Sequence, residues 1–131
     1  MKDLKDIELY DDIVLLVNSF YSKVQVDDLI GPIFNSRIGN NWTIHLEKMY
    51  KFWQTVLLEE HTYSGRPFPP HKDLPIHKEH FDRWLEIFHS TLNENFAGKN
   101  TEEAKSRAGL MAQLFLSKLN YINTHPGKSI L

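Results

Sequence analysis

The chain has 131 residues, of which 41% are hydrophobic, and this length and composition are typical of one domain around one core. Its formal net charge of -2 provides no positive field for holding nucleic acid or an acidic membrane. The lack of cysteine excludes disulfides, thiolate metal sites and attachment of a cofactor through a C-x-x-C-H motif.

The N-terminal sequence MKDLKDIELYDD is acidic and lacks the apolar segment of a signal peptide. No apolar run approaches the length of a membrane span, so a soluble, cytoplasmic protein is predicted. Residues with aromatic or imidazole rings are unusually frequent, with eight phenylalanines, five tyrosines, three tryptophans and seven histidines. Aromatic residues suit a pocket for a flat ligand, but they suit any well-packed helical core equally well.

The first predicted helix begins with Asp11 as its N-cap. Apolar residues then recur at spacings of three and four, which predicts a buried face. Tyr21 falls on the same inward side, beside Phe20. The recurring apolar residues are Ile13, Leu16, Val17, Phe20 and Val24.

The connection to the second helix is predicted to be irregular. Residues 27–30 could add one turn, but Gly31 and Pro32 are expected to stop the helix. Phe34 would then return to the core from a short connecting piece. A second long helix is predicted over residues 42 to about 59. Its inward stripe reads His45, Met49, Phe52, Trp53 and Val56.

Residues 60–76 contain Gly65 and four prolines, so regular structure is expected to lapse there. A third helix is predicted over residues 77 to about 95, and a fourth begins at Thr101. Their buried sides are marked by Phe81, Trp84, Leu85, Phe88 and Leu92 on the third helix, and by Ala104, Ala108, Met111, Ala112, Phe115 and Leu119 on the fourth.

No two-residue alternation persists between turn signals, so the sequence predicts no strand. The fold class indicated is all-α, with four main helices and short extras. We expect a single domain over residues 1–131, with a core over about 11–123 and loose N- and C-terminal ends.

The stretch RPFPPHKDLPIHKEHFDRWL, residues 66–85, places His71 directly after two prolines. Prolines fix φ and remove backbone donors, so this histidine stands on a stiff, non-repetitive segment. Because a fixed imidazole suits metal ligation, we predict that His71 is an axial iron ligand with Trp84 in the same pocket. The competing interpretation is a surface or turn histidine, which is the commoner situation for a lone histidine.

Tyr21 and His45 lie on apolar faces of separate predicted helices. Each has a plain interpretation, as a core tyrosine bonded to a backbone carbonyl and a core histidine satisfied by a neighbour. Taken together with Trp84, they are three hydrogen-bond donors directed at one aromatic-lined volume, with His71 on its opposite side. That joint pattern favours a ligand pocket.

His77 and His80 share a helix face and could hold a divalent metal together with His71. However, neither a thiol nor an H-E-x-x-H pattern accompanies them, so packing or solvated residues are the preferred interpretation. The sequence contains no glycine-rich phosphate loop and no G-x-S-x-G motif.

Several segments together resemble a group III truncated haemoglobin in their order and spacing. They are FYSKV (20–24), GPIF (31–34), Trp42 with His45, FW (52–53), YSGRPFPPH (63–71) and FDRWLEIF (81–88). The similarity extends over about residues 11–123, and the pattern Y-x-G-x-P…H…DLP…F-x-x-W-L is distinctive of that group. The Gly-Gly hinges of the other two groups are absent from this sequence.

The resemblance implies a two-over-two helical sandwich around a non-covalent haem b. His71 corresponds to the proximal iron ligand, and Tyr21 to the tyrosine that hydrogen-bonds the ligand on the iron. His45 corresponds to the distal gate histidine and Trp84 to the pocket tryptophan. The apolar lining of the haem would come from Phe20, Phe34, Met49 and Phe52.

Arg66 and Lys72 are candidates for holding the haem propionates, on their charge and proximity to His71. The implied function is binding of dioxygen, nitric oxide, carbon monoxide and similar small ligands, with oxygen transport among the expected roles. A protonated tyrosine that donates a hydrogen bond worth roughly 1.5–3 kcal/mol predicts tight oxygen binding with slow release. The same haem could instead support a nitric oxide dioxygenase or a peroxidase-like enzyme with a reductase partner. An interpretation of another class is a haem-free helical interaction or sensor module.

Overall fold

The structure is a computed structural model, and it describes residues 3–60, residue 63 and residues 76–124. Within these ranges every regular element is a helix, which confirms the all-α prediction. Four helices are long and one is short, as predicted. In chain order they are α1 (Tyr10–Val26), α2 (Gly31–Ile38), α3 (Trp42–Leu58), α4 (Lys78–Asn95) and α5 (Lys99–Thr124).

The four long helices pack as two pairs. Helix α1 lies against α3, and α4 lies against α5. The pairs are joined because α1 also packs on α4 and α3 touches α5, while the short α2 rests on α1. This is the two-over-two arrangement, and α1 is the helix that meets most of the others. None of the helices in the described ranges combines the length and apolar character that crossing a membrane requires.

The core lies where the apolar stripes of the helices meet. The face of α1 predicted from its spacing is buried, and Phe88 and Leu92 of α4 are covered almost completely. Burying one such side chain contributes roughly 1.5–3 kcal/mol, so the stripes fix how each helix is rotated. On α5 the predicted residues Ala104 and Ala108 are also fully buried.

Helix α1 starts two residues earlier than expected, and Asp11 is not its N-cap. Leu9 occupies the cap position, and Asp11 lies in the first turn. The carboxylate of Asp12 accepts hydrogen bonds from the backbone N–H groups of Glu8 and Leu9, both at 3.0 Å. The prediction for Asp11 was wrong because the amides before the helix are satisfied by Asp12, a residue inside the first turn, and not by a residue at the cap position.

Gly31 and Pro32 begin a helix instead of ending one, which corrects the expected irregular connection. Proline suits a first helical turn because that position needs no N–H donor. Gly31 allows α2 to approach α1, since a Cβ there would lie 2.9 Å from the carbonyl oxygen of Val24. Phe34 is therefore held by a helix.

The N-terminal segment is packed, although it was expected to be loose. Ile7 is fully buried. The carboxylate of Asp6 accepts from the N–H groups of Asn100 and Thr101 and from the Thr101 hydroxyl, each at 2.8 Å. These bonds cap the N-terminus of α5, which begins at Lys99, two residues before the predicted start.

The boundaries of α3 and α4 lie close to the predicted ones. Helix α3 follows a turn in which Gly39 has a φ of 57°, and it ends where Glu59 adopts the left-handed conformation. Helix α4 begins at Lys78, within one residue of the prediction. Helix α3 packs against α1 so that the face with His45 meets the face with Tyr21.

Candidate functional site

Tyr21 is a buried phenol among aromatic rings. It lies on the inner face of α1 with 6% of its surface exposed. Its ring centroid is 5.0 Å from that of His45, 5.8 Å from that of Trp42 and 6.2 Å from that of Phe34. Burial raises the pKa of the Tyr21 phenol, because the charged form would lose its hydration. Tyr21 is therefore an uncharged hydrogen-bond donor at neutral pH.

His45 and Trp42 lie one turn apart on α3 and meet edge to face. Their centroids are 5.7 Å apart with an angle of 90° between the planes. As a residue His45 is half-buried, yet its Nε2 atom is fully buried. The imidazole thus stands at the border between solvent and interior. Tyr21, Trp42 and His45 touch one another pairwise, and we call them the three-ring cluster.

Trp84 of α4 approaches the same region through Phe20. The Phe20 ring lies 4.8 Å from that of Tyr21 and 5.6 Å from that of Trp84, centroid to centroid. Trp84 is parallel to Phe88 within 4° at 5.5 Å, and Phe88 stacks in turn on Trp53 at 5.1 Å. Stacked and edge-on pairs of this kind each contribute about 0.5–1.5 kcal/mol beyond burial. Trp84 is consequently held in one orientation.

The other predicted apolar residues are distributed along α2 and α3. Phe34 borders Tyr21, as given above, and Met49 is half-buried against the core. Phe52 lies further along α3 and contacts Trp53 and Tyr63 at centroid distances of 5.2 and 5.3 Å. Burial also raises the pKa of the Tyr63 phenol. These residues form an apolar border that continues from Tyr21 along α3.

The predicted iron ligand His71 and the two predicted propionate partners, Arg66 and Lys72, lie outside the described residues. Their assignments therefore stay predictions. His77 and His80 are described: the backbone N–H of His77 donates to Nδ1 of His80 at 2.8 Å, at the start of α4. Among the residues that the structure describes, no three histidines or carboxylates gather as a metal site would require.

An ion pair fixes the helix that carries Trp84. Arg83 Nη1 donates to Asp27 Oδ1 at 2.7 Å and lies 3.4 Å from Asp28 Oδ1. The other oxygen of Asp27 accepts from the N–H groups of Leu29 and Ile30. Burial opposes the charge on Asp27, but the Ile30 and Leu29 amides and the guanidinium outweigh it and lower the pKa of this carboxyl. The turn between α1 and α2 is thereby tied to α4.

Two residues of this region received no role from the sequence. Trp42 stands three residues before His45, so helical periodicity places both on one face, and that spacing could have identified it. Arg83 gives no such signal, because its partner Asp27 is 56 residues away along the chain. Only the packing of α4 against α1 brings those two charges together.

Comparison with known proteins agrees with this architecture. The model of the bacterial-like globin family matches residues 6–117. The group 3 truncated hemoglobin ctb of Campylobacter jejuni is 35% identical over 119 residues, which cover 88% of this chain and 94% of that protein. The crystal structure of group III truncated hemoglobin from Campylobacter jejuni is similar with a TM-score of 0.81 and 35% identity, covering 91% of this chain and 95% of the other. The chain belongs to the bacterial-like globin family, and it is a truncated haemoglobin of group III with the truncated globin fold.

Proposed function

We propose that this chain binds dioxygen and other diatomic ligands, such as nitric oxide and carbon monoxide, tightly at a non-covalent haem b. His71 would ligate the iron, and Tyr21, His45 and Trp84 would face the ligand. Membership of the globin family implies the haem cofactor. When bound, the haem supplies a ferrous iron that takes up diatomic ligands reversibly. The remaining chemistry belongs to the side chains around it.

The residues present fit a haem of this type. The chain contains no cysteine, which leaves neither thioether attachment nor thiolate ligation and makes histidine the natural iron ligand. Apolar walls suitable for a porphyrin are available from Phe20 and Phe34, whose rings border Tyr21, and from Met49, which packs against the same core. Arg66 and Lys72 would pair with the propionates as cations.

The burial of Tyr21 inside the three-ring cluster is the observation that carries this proposal. A buried phenol with a raised pKa keeps its proton at neutral pH and can donate a hydrogen bond to a ligand that carries partial negative charge. A hydrogen bond to a charged partner contributes about 1.5–3 kcal/mol. At about 1.4 kcal/mol per decade, this slows ligand release by roughly ten- to a hundredfold.

His45 and Trp84 would complete the ligand side. Trp84 carries an indole N–H that donates only, and the parallel contact with Phe88 keeps its ring fixed. His45 would act as a gate, meaning a side chain that must move aside before a ligand passes. Its position between solvent and interior, with Nε2 buried, supports that role. A closed gate would also exclude water from the ligand.

The test is the oxygen dissociation rate of the purified ferrous protein, measured by stopped flow. Replacing Tyr21 by phenylalanine keeps the ring and removes the donor, so dissociation should be about tenfold faster or more. The matched control is Tyr10→Phe, on the same helix but 44% exposed, which should leave the rate unchanged. Equal rates for Tyr21→Phe and wild type would remove Tyr21 from this role. A purified protein that shows no Soret band and refuses added haemin would contradict haem binding itself.

A further inference from the structure

We infer that Trp42 is a positioning residue that holds the His45 imidazole in its inward position, and that Trp42 thereby sets the rate at which ligands reach Tyr21. The inference rests on the proposed function, because it takes His45 as the gate. It concerns a residue that neither the periodicity of the sequence nor its resemblance to the family had assigned a role.

The geometry of the three-ring cluster restricts the His45 imidazole. The His45 ring is perpendicular to Trp42 at 90° and nearly perpendicular to Tyr21 at 85°. Trp42 and Tyr21 also touch, with centroids 5.8 Å apart and an angle of 61°. An imidazole that contacts two larger rings, which themselves touch, has its movement restricted on both of those sides.

The backbone of Trp42 is fixed by hydrogen bonds at the start of α3. The N–H of Asn41 donates to the carbonyl of Ile38 at 3.0 Å, and the N–H of His45 donates to the carbonyl of Asn41 at 3.0 Å. Trp42 is the first residue of the helix, between these two bonds. Before this turn, the N–H of Gly39 donates to the carbonyl of Asn35 and caps the end of α2. The indole is thus carried by backbone that is bonded on either side.

Two residues that precede His45 on α3, Ile44 and Trp42, differ in burial. Ile44 is 55% exposed and points away from the core, whereas Trp42 is half-buried and packs against the core. Of the side chains near the start of α3, Trp42 is the one in ring contact with both His45 and Tyr21. Removing the indole would open space beside the imidazole, and the gate would then leave its inward position more easily.

The experiment measures carbon monoxide association by flash photolysis of the purified haem-loaded protein. Trp42→Ala should speed association about two- to tenfold, the range expected when one aromatic contact is lost. Trp42→Phe keeps a ring beside His45 and should restore most of the wild-type rate. Trp42→Leu serves if the alanine variant fails to fold, and it should also be faster than wild type. Ile44→Ala is the matched control and should leave the rate unchanged.

A double-variant comparison separates a positioning role from simple packing. His45→Ala alone should speed association, and adding Trp42→Ala to it should then change little, because no imidazole remains to be held. A full additional acceleration in the His45→Ala background would overturn the inference. So would an unchanged rate in both Trp42→Ala and Trp42→Leu. If His45→Ala alone leaves the rate unchanged, the gate is wrong and the inference falls with it, while slow oxygen release through Tyr21 still stands.

A second readout does not depend on ligand kinetics. In the NMR spectrum of the carbon monoxide-saturated protein, the His45 imidazole should give one set of shifts, displaced by the neighbouring indole ring. In Trp42→Ala those signals should broaden or move towards values typical of a mobile histidine. An imidazole spectrum that shows the same single, ordered position in Trp42→Ala would overturn the inference even where haem binding is normal.

Discussion

The Tyr21 phenol is a group whose ionisation is opposed by its surroundings. It contacts the other two rings of the three-ring cluster and also Phe20 and Phe34, and burial raises its pKa. An exposed tyrosine is half-ionised near pH ~10. Because folding raises the pKa, the uncharged phenol contributes stability that is present below about pH 10 and is lost as the pH rises through the folded-state value. Tyr21 should therefore remain a donor in mildly alkaline solution.

This leads to a prediction for ligand release. The oxygen dissociation rate should stay level between neutral pH and about pH 10, because the donor keeps its proton over that range. Stopped-flow measurements over a pH series test this, with Tyr21→Phe as the reference for all other titrating groups. A rise in the wild-type rate near pH 9.5 that is missing from Tyr21→Phe would show that the phenol ionises normally, against the prediction.

At the scale of the elements, the turn between α1 and α2 depends on Asp27. Its carboxylate accepts two backbone N–H groups and the Arg83 guanidinium, and its side chain is 11% exposed. Asp27→Ala should lower the free energy of unfolding by about 1–2 kcal/mol, as the loss of a helix cap does. The variant should also release oxygen faster, since α4 carries Trp84 next to Arg83. Urea unfolding and stopped flow measure the two effects.

Asp28 provides a matched control for that prediction. It carries the same charge next to Asp27 and faces the same guanidinium, but its side chain is 94% exposed and 3.4 Å away. Asp28→Ala should change stability by less than about 0.5 kcal/mol, as surface substitutions usually do. Equal losses from the two variants would mean that the general charge of the turn, and not the hydrogen bonds of Asp27, supports α4.

The helices themselves could be predicted from the sequence, because their apolar residues recur at helical spacing and the core is built from those stripes. The helix boundaries were less predictable where the same residues are compatible with both the start and the end of a helix. Gly31 and Pro32 were interpreted as a stop, although proline also favours a first turn, and the tertiary contact with α1 decides between the two. Asp11 and Asp12 are adjacent, and only the path of the preceding chain selects Asp12 as the acceptor.

The sequence predicted which helix faces carry the candidate site, but not which side chains touch between the helices. Spacing indicated that Tyr21 and His45 point inward from separate helices, and the structure places their rings 5.0 Å apart. The pairing of Arg83 with Asp27 depends on how α4 lies over α1, which local periodicity does not encode. The part that Trp42 plays depends likewise on ring geometry between two helices.

At the scale of the whole molecule, the N-terminal segment is tied to the start of α5 through Asp6. This residue caps α5 from a distance of 94 residues along the sequence, and the Asn100 side chain donates back to the carbonyl of Ile7 at 2.7 Å. Gly98 makes the approach possible, since its φ is 141° and a Cβ there would lie 2.5 Å from the Asp6 carboxyl carbon. Contacts between residues so far apart in the sequence leave no local signal. The N-terminal segment was therefore predicted to be loose.

The charge of Asp6 should therefore make the stability of the fold sensitive to acid. Burial opposes the charge, but the bonds from Asn100 and Thr101 outweigh it and lower the pKa of this carboxyl. A lowered folded-state pKa means that the contribution is complete above the unfolded value of ~3.9 and disappears as the pH falls through the folded value. Asp6→Asn should be less stable than wild type by about 1–2 kcal/mol at pH 7, and the difference should shrink below pH ~4.

Denaturant unfolding of both proteins at equal haem saturation, from pH 7 to about pH 3, measures that difference. Comparing the two proteins at equal haem saturation removes the effect of haem loss in acid, so the difference between them isolates the carboxylate. Asp3→Asn, an exposed change in the same segment, is the control and should track wild type at every pH. A gap that keeps its full size at pH ~3 would show that Asp6 acts through shape and hydrogen bonding alone, because its charge would then contribute nothing to holding the N-terminal segment on α5.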